Sequence, residues 1–244
     1  MKTEGINHIS IIGTGMMGSS LATLCTGNGY PTTMVAFSDA GAKRGLRNYE
    51  SNYKDLIAEG LVTEKQYEAC KKLLTVTHSY EEISDTDYIM ECVPEILEVK
   101  YSVYENIEKF CKKYKVISSA TSAISAEELA KGLTQKDKFL VAHPWNPPHL
   151  VPCVEVVTSS YTSGETVSYV KDTLESMGRK VILMKKDIPG FIGNRLQHAL
   201  FREAVNLVEL GIATPEDIDA TLKYSFTPRY TSIGLFEHQD NAGL

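Results

Sequence analysis

The sequence predicts an α/β protein built on a doubly wound, mostly parallel sheet, followed by a partial all-helical C-terminal domain. Short β-branched apolar runs alternate with helical patterns as far as residue 183. A glycine-rich turn follows the first of these runs and opens a helix. After Gly190 the apolar residues recur at helical spacing, without a strand pattern. We therefore expect two domains, at residues 1–188 and 189–244.

Composition limits the class of protein before any motif is considered. The 244 residues are 43% hydrophobic and 23% charged, which is ordinary globular composition. The net charge is −6 and the short lysine pairs lie beside acids, so we expect no nucleic-acid partner. Five cysteines form no CxxC pair, and no apolar signal region or membrane-spanning run is present. These features predict a soluble, cytoplasmic protein with reduced thiols and no metal site.

The first strand pattern, residues 6–12, leads into the turn GTGMMG at residues 13–18. A GxGxxG pattern alone is weak evidence, but here it follows a strand and opens a helix, which is the context a dinucleotide-binding turn requires. Gly13 permits the turn, Gly15 lets a pyrophosphate reach the backbone, and Gly18 allows close helix–strand packing. Unpaired N–H groups at the helix start then favour phosphates. We therefore expect a Rossmann-type domain that binds a nicotinamide dinucleotide.

The residue that normally selects NAD over NADP is missing. The second strand should end in an acid that binds the ribose 2′-hydroxyl of NAD, and the aligned position is Ala36. Without that acid a 2′-phosphate meets less repulsion, and Ser38, Lys43 and Arg44 could help to bind one. Asp39 could instead reach the ribose from slightly further along the chain. We expect NAD, and NADP stays open.

The middle of the chain continues the alternation of strand and helix patterns. Residues 39–74 are polar and helical, which favours a helical arm projecting from the sheet, with an ordinary crossover pair of helices as the alternative. A later helix pattern carries Glu95 and Lys100, and a strand pattern at residues 116–119 leads into Ser122. Because loops at the carboxyl ends of parallel strands line the ligand crevice, we expect Ser122 there.

The chemistry is expected to centre on the stretch from Val141 to Glu155. It begins as the end of an apolar run, breaks at His143 into a proline-rich loop, and resumes with Glu155 set among valines. A carboxylate beside an apolar run is costly unless it is paired, and His143 is the nearest partner. Such a pair makes a general base. A histidine and a glutamate that merely end two strands are the alternative.

A third motif, DIPGFIGNR at residues 187–195, precedes the helical part of the chain. Pro189 is well placed just inside the start of an apolar helix, which should run to Gly211. A second helix should start at Pro215. The remainder, as far as Leu244, has the aromatic and Gly/Pro character of a loop.

Together, three separated motifs resemble the 3-hydroxyacyl-CoA dehydrogenase family. They are GTGMMG at residues 13–18, HPWNPP…VE at residues 143–155, and DIPGFIGNR at residues 187–195. The segment ECVPEILEVK at residues 91–100 is similar to that family's equivalent, and the resemblance covers essentially the whole chain. The proline after the histidine and the doubled proline at 147–148 are closer to the lambda-crystallin (L-gulonate 3-dehydrogenase) branch, which acts on free hydroxy acids.

The resemblance implies catalytic roles for four residues. His143 would take the proton of the substrate 3-hydroxyl as hydride leaves for the nicotinamide, and Glu155 would orient it. Ser122 and Asn194 would hydrogen-bond the substrate oxygen and polarise the carbonyl in the reduction direction. A turn or cap role for Ser122 and a first-turn role for Asn194 are the alternatives.

The resemblance also implies which residues line the cofactor. Glu95 and Lys100 would lie beside its ribose and nicotinamide, although an exposed helix charge is the alternative for Lys100. The residues expected to contact the cofactor are Gly13, Gly15, Met16, Met17, Gly18, Phe37, Ser38, Cys92, Glu95 and Lys100.

The function that the resemblance implies is NAD(P)-dependent interconversion of a 3-hydroxyacyl-CoA and its 3-ketoacyl-CoA, within fatty acid metabolism. A dehydrogenase of a free 3-hydroxy acid, as in L-gulonate oxidation, is the first alternative. A non-catalytic, crystallin-like dinucleotide-binding protein is the second, and the intact set of catalytic residues argues against it.

The chain departs from the family pattern in its helical part and at two single positions. Ala36 stands in place of the strand-end acid, and Ala120 stands where the family often has an asparagine. The helical domain looks truncated, so we expect it to expose apolar surface or to exchange with a partner chain, and we expect a homodimer.

Overall fold

The computed structural model describes residues 5–243, which divide into two compact units. The first unit runs to Phe191 and the second begins at Ile192. All strands in the described residues belong to the first unit and form one sheet. They are β1 (Ile9–Ile12), β2 (Thr32–Val35), β3 (Leu74–Thr77), β4 (Tyr88–Glu91), β5 (Val116–Ser119), β6 (Phe139–Pro144), β7 (Cys153–Val157) and β8 (Lys180–Leu183).

Helices pack on both faces of this sheet. Successive strand residues point to opposite faces, so neighbouring residues of one strand belong to different cores. Ile11 of β1 belongs to a core with the helices α1, α2 and α6, whereas Ile12 belongs to a second core with α4 and α5. This three-layer arrangement confirms the predicted fold class. The helices of the first unit are α1 (Met16–Gly27), α2 (Asp39–Ala58), α3 (Glu64–Lys71), α4 (Leu97–Phe110), α5 (Ala126–Ala130) and α6 (Gly164–Ser176).

The strand order places a ligand crevice in the middle of the sheet. The order is β3-β2-β1-β4-β5-β6-β7-β8. Strands β1 to β6 are parallel, whereas β7 pairs antiparallel with β6 and parallel with β8. The chain order reverses between β1 and β4, and such a switch point opens a crevice at the carboxyl ends of the strands. The residues that follow β1, β4, β5 and β6 therefore lie close together at the carboxyl ends of the strands.

The expectation of a projecting helical arm is wrong, because α2 and α3 pack against α1. The hydroxyls of Tyr49 and Tyr53 in α2 lie 2.9 and 3.1 Å from Oγ1 of Thr26 in α1, and both tyrosines are 1% exposed. A Cβ on Gly45 would lie only 2.7 Å from Cβ of Thr14. One face of α2, with Tyr49 and Tyr53, is therefore buried, whereas no residue of α3 is buried.

Two boundaries near the site differ from the predicted ones. Strand β6 continues through His143 to Pro144, because these residues pair with Glu155 and Val154 of β7. His143 is thus held in a strand rather than in a loop. Helix α4 begins only at Leu97, so Glu95 lies in the turn before it.

The second unit is helical over residues 192–243. Its helices are α7 (Gly193–Glu209), α8 (Pro215–Tyr224) and α9 (Leu235–Ala242). A capping box between Thr214 and Asp217 confirms the predicted start of α8. Two expectations are wrong. Pro189 precedes α7 instead of starting it. Helix α9 occupies part of the predicted loop, and at its start the Glu237 side chain accepts a hydrogen bond from Gly234 N.

Apolar side chains of the second unit are widely exposed. None of the residues of α7, α8 and α9 that the structure describes is buried. A groove of about 560 Å³ runs between α7 and α8, and its apolar lining is Leu200, Phe201, Ala204, Val205, Val208, Pro215, Ile218 and Leu222. No helix within residues 5–243 combines the length and the apolar character needed to cross a membrane.

Candidate active site

The glycine-rich turn is closed by backbone contacts that only glycine allows. Gly13 has a φ of +112°, and a Cβ there would lie 2.8 Å from the carbonyl oxygen of Cys92. A Cβ on Gly18 would lie 2.0 Å from the carbonyl oxygen of Gly13. Around Gly15, in contrast, the described chain leaves 4 Å of open space, and no described side chain caps the start of α1 there. The turn therefore fits a pyrophosphate at the helix N-terminus.

The other residues predicted to line the cofactor surround this turn. Met16 and Phe37 are 63% and 59% exposed at the edge of the crevice, and Met17 is partly exposed. Ser38 caps α2, because its Oγ accepts a hydrogen bond from Gly41 N at 3.1 Å. Burial raises the pKa of the Cys92 thiol, so this side chain stays neutral while its carbonyl contacts the turn.

His143 and Glu155 face each other across the antiparallel ladder between β6 and β7. The two residues are direct register partners, and Nδ1 of His143 lies 3.0 Å from Oε2 of Glu155. They are 6% and 2% exposed. An ionised carboxylate only accepts hydrogen bonds, so Nδ1 carries the proton and Nε2 keeps its lone pair. This is the orientation that a general base requires.

The second ring nitrogen of His143, Nε2, faces a hydroxyl group that follows the neighbouring strand β5. Oγ of Ser122, in the turn after β5, lies 3.2 Å from Nε2 of His143. The structure thus brings together three of the four predicted catalytic residues. Asn194 lies in the first turn of α7, in the second unit, and its contact with the substrate oxygen stays a prediction.

An aromatic residue that sequence reasoning missed covers the His143 ring. The Phe191 ring centroid lies 5.3 Å from that of His143, and Phe191 is 1% exposed. Its φ of 48° is unusual for a bulky side chain. The ring of Trp145 lies 6.1 Å away from His143. This apolar cover limits water at the imidazole, and the position of Phe191 inside the third motif was its only sequence signal.

A buried ion pair that the sequence analysis also missed lies beneath the site. Glu91, at the end of β4, is fully buried, and its Oε1 accepts hydrogen bonds from Lys100 Nζ and Val93 N, both at 2.8 Å. Its Oε2 accepts hydrogen bonds from Tyr104 OH at 3.0 Å and Ser119 Oγ at 2.7 Å. Burial, and then the charge of Glu91, raise the pKa of the Tyr104 hydroxyl, which keeps it a donor. Lys100 is 1% exposed, so the alternative of an exposed helix charge is wrong.

Glu95 connects this ion pair to the turn that carries Ser122. Its carboxylate lies 3.4 Å from Lys100 Nζ and accepts hydrogen bonds from Thr121 Oγ1 at 2.8 Å and Ser122 N at 2.6 Å. The ion pair, Glu95, Ser122 and His143 therefore form one continuous polar chain. A carboxylate at the end of an apolar run was the signal that pointed to Glu155, and the same signal at Glu91 could have revealed this network.

The fold and the dinucleotide-binding turn define a Rossmann-type oxidoreductase. The chain belongs to the 3-hydroxyacyl-CoA dehydrogenase family. The family's model for the NAD binding domain matches residues 8–188, and its model for the C-terminal domain matches residues 190–244. The cofactor is therefore NAD.

Similar proteins place the chain near the lambda-crystallin branch, as the sequence analysis expected. It is 36% identical to an L-carnitine dehydrogenase of Oceanobacillus iheyensis, over 95% of this chain and 74% of that protein. It is 30% identical to the lambda-crystallin of Oryctolagus cuniculus, over 97% and 75%. The solved structure of an NAD⁺-dependent 5-formyl-3-hydroxy-2-methylpyridine 4-carboxylic acid 5-dehydrogenase has a TM-score of 0.88 and 30% identity, over 97% of this chain and 76% of that one.

Two alanine substitutions should separate the folding and binding roles of the glycine-rich turn. Gly18→Ala should lower the free energy of unfolding by about 2 kcal/mol, because its Cβ would overlap the backbone. Gly15→Ala should fold normally, because its φ of −72° suits alanine, but should bind NADH about tenfold more weakly. Thermal melting and NADH fluorescence titration measure both effects. Unchanged NADH affinity in Gly15→Ala would contradict the assignment of the pyrophosphate site.

The buried ion pair should behave as one energetic unit. Glu91→Gln and Lys100→Met should each cost about 3 kcal/mol, because each removes the nearest charged partner of a buried group. The double variant should cost clearly less than the sum of the two. The exposed pair of Lys71 and Glu50, with nitrogen and oxygen 3.8 Å apart, provides the control, and Lys71→Met should change stability by less than about 0.5 kcal/mol. Urea denaturation measures the four values, and additive costs would rule out the coupling.

Proposed function

We propose that the protein oxidises the hydroxyl of a small free 3-hydroxy acid to a ketone with NAD, and catalyses the reverse reduction. The observation that carries this proposal is the buried His143–Glu155 pair, in which Nε2 of His143 faces the Ser122 hydroxyl. A base that is fixed at the carboxyl edge of a Rossmann sheet suits removal of a hydroxyl proton.

In this reaction the residues of the chain take up the substrate proton and stabilise the charges that form. The substrate O–H proton passes to Nε2 of His143, and Glu155 stabilises the imidazolium that results. The carbinol C–H bond breaks and its electron pair leaves with the hydride, while the electron pair of the broken O–H bond forms the second bond of the new carbonyl. Bound NAD supplies the hydride acceptor. Ser122 donates a hydrogen bond to the substrate oxygen, and in reduction the imidazolium returns the proton to that oxygen.

Two observations favour a free acid over a thioester. The L-carnitine dehydrogenase and the pyridine carboxylic acid dehydrogenase carry the names of free acids. In addition, a cavity of about 330 Å³ between α1, α2 and the loop after β6 is lined by Asp55 and Glu59, and no lysine or arginine is among its described lining residues. Such a lining repels the polyanionic phosphates of coenzyme A more strongly than the single carboxylate of a free acid.

A 3-hydroxyacyl-CoA is the second candidate substrate, because the matching family models carry that name. NAD⁺ reduction with 3-hydroxybutyryl-CoA, 3-hydroxybutyrate and L-carnitine, followed by absorbance, compares the two classes. We expect at least one free acid to have a kcat/KM more than tenfold above that of the thioester. A thioester with the higher kcat/KM would refute the choice of a free acid.

His143→Gln should reduce turnover by a factor of at least about 10³ while leaving NADH affinity within about twofold of wild type, because the base is lost and the glycine-rich turn is untouched. NADH fluorescence titration and steady-state kinetics measure the two effects. His8→Gln is the matched control, because His8 precedes β1 at the opposite edge of the sheet. If the His143 variant keeps its turnover, the assignment of the base is wrong.

We also infer that the second unit pairs with a second copy of the chain. The groove between α7 and α8 is apolar, and Phe201 on it is 64% exposed. An apolar surface of this kind is costly in water unless it is covered. Light scattering should give a mass twice the 27.0 kDa of one chain, and Phe201→Glu should halve it. Lys223→Glu is the surface control, and a monomeric wild type would contradict the inference.

A further inference from the structure

Asp39 lies close to the place from which Rossmann domains recognise the ribose of NAD. That place, the end of β2, is occupied by Ala36, which is 2% exposed and has no acid to offer. Asp39 is the first residue of α2, three residues further along, and its side chain is 90% exposed. A carboxylate is thus present at the correct edge of the sheet but on the helix instead of the strand.

His78 ties this carboxylate to the strand end. It follows β3, and its Nε2 lies 3.1 Å from Oδ1 of Asp39 while its Nδ1 lies 3.1 Å from the carbonyl oxygen of Ala36. Both partners are hydrogen-bond acceptors, and each ring nitrogen of His78 faces one of them. One imidazole therefore bridges the carboxylate and the position where the strand-end acid is missing.

The first turn of α2 is also fixed to the glycine-rich turn. Thr14, inside GTGMMG, donates a hydrogen bond from Oγ1 to the carbonyl oxygen of Gly41 at 2.9 Å. The backbone N–H of Gly41 in turn donates to Ser38 Oγ, the cap of the same helix. These contacts place Asp39 at a fixed position relative to the site of the pyrophosphate, which is what recognition of the adjoining ribose requires.

We propose that Asp39, held by His78, replaces the missing strand-end acid and makes this protein select NAD over NADP. The carboxylate accepts a hydrogen bond from the ribose 2′-hydroxyl of NAD and repels the 2′-phosphate of NADP. This repulsion affects selectivity because Lys43 and Arg44, one turn further along α2, are exposed and would favour a phosphate.

Binding of NADH and NADPH in the absence of substrate tests this proposal, independently of the reaction proposed above. Nucleotide fluorescence titration gives both dissociation constants for the wild type and for Asp39→Asn. Wild type should bind NADH more than tenfold tighter than NADPH. Asp39→Asn should lower that preference about tenfold or more, with weaker NADH binding and tighter NADPH binding, since a charged hydrogen-bond partner is lost.

The His8–Asp85 pair of the first unit, which also has an exposed aspartate, provides the control. Nδ1 of His8 lies 3.1 Å from Oδ1 of Asp85, whose side chain is 82% exposed, but this pair precedes β1 and β4 at the opposite edge of the sheet. Asp85→Asn removes the same charge from the same kind of pair and should leave the NADH/NADPH preference unchanged.

His78→Gln distinguishes the tether from a direct phosphate site. We expect a loss of preference in the same direction as Asp39→Asn, but smaller, because the carboxylate remains without its anchor. Weaker NADPH binding in His78→Gln would mean that the imidazole binds the phosphate itself, and this would overturn the proposal. An unchanged preference in Asp39→Asn, or a wild type that does not favour NADH, would also overturn the proposal. Thermal melting confirms that each variant is folded.

Discussion

The antiparallel pairing of β6 with β7 is the constraint on which the active site depends. Direct register partners in an antiparallel ladder hold their side chains within contact distance, so the ladder sets the separation of His143 and Glu155. Burying a carboxylate is costly, and a charged hydrogen bond to a fixed imidazole offsets much of that cost. The backbone ladder thus fixes the orientation of His143, the proposed base, and Phe191 limits the water that reaches its ring.

A second buried carboxylate, Glu91, fixes the strand ends next to the dinucleotide-binding turn. Glu91 and Lys100 are paired beneath the ends of β4 and β5, and Glu95 transmits their position to the turn that carries Ser122. Each of the four donors around Glu91 is an independent restraint on the end of a strand or a face of α4. Satisfied networks of this kind are rigid because any displacement leaves a buried polar group unpaired. The switch point of the sheet is therefore stiff at the place where the hydroxyl, base and dinucleotide turn converge.

Sequence reasoning could reach the features that depend on local pattern. The glycine-rich turn follows from residues 13–18, and the pairing of His143 with Glu155 follows from a carboxylate set in an apolar run. It could not find contacts that depend on which face of a helix is buried. Lys100 is expected beside the cofactor, or as an exposed helix charge, because the spacing along α4 does not reveal that a carboxylate of β4 is its partner. Tyr49 and Tyr53 fall on one face of a helical pattern, but the pattern does not show that this face packs against α1, where their hydroxyls meet Thr26.

The tautomer of His143, measured by nitrogen-15 NMR of histidine-labelled protein, tests the central claim most directly. The spectrum of a variant lacking this histidine assigns the signal. The account predicts that the neutral ring carries its proton on Nδ1, facing Glu155, and that Nε2 is unprotonated toward Ser122. A proton on Nε2 of the neutral ring would contradict the account, because the nitrogen that must take up the substrate proton would already be occupied.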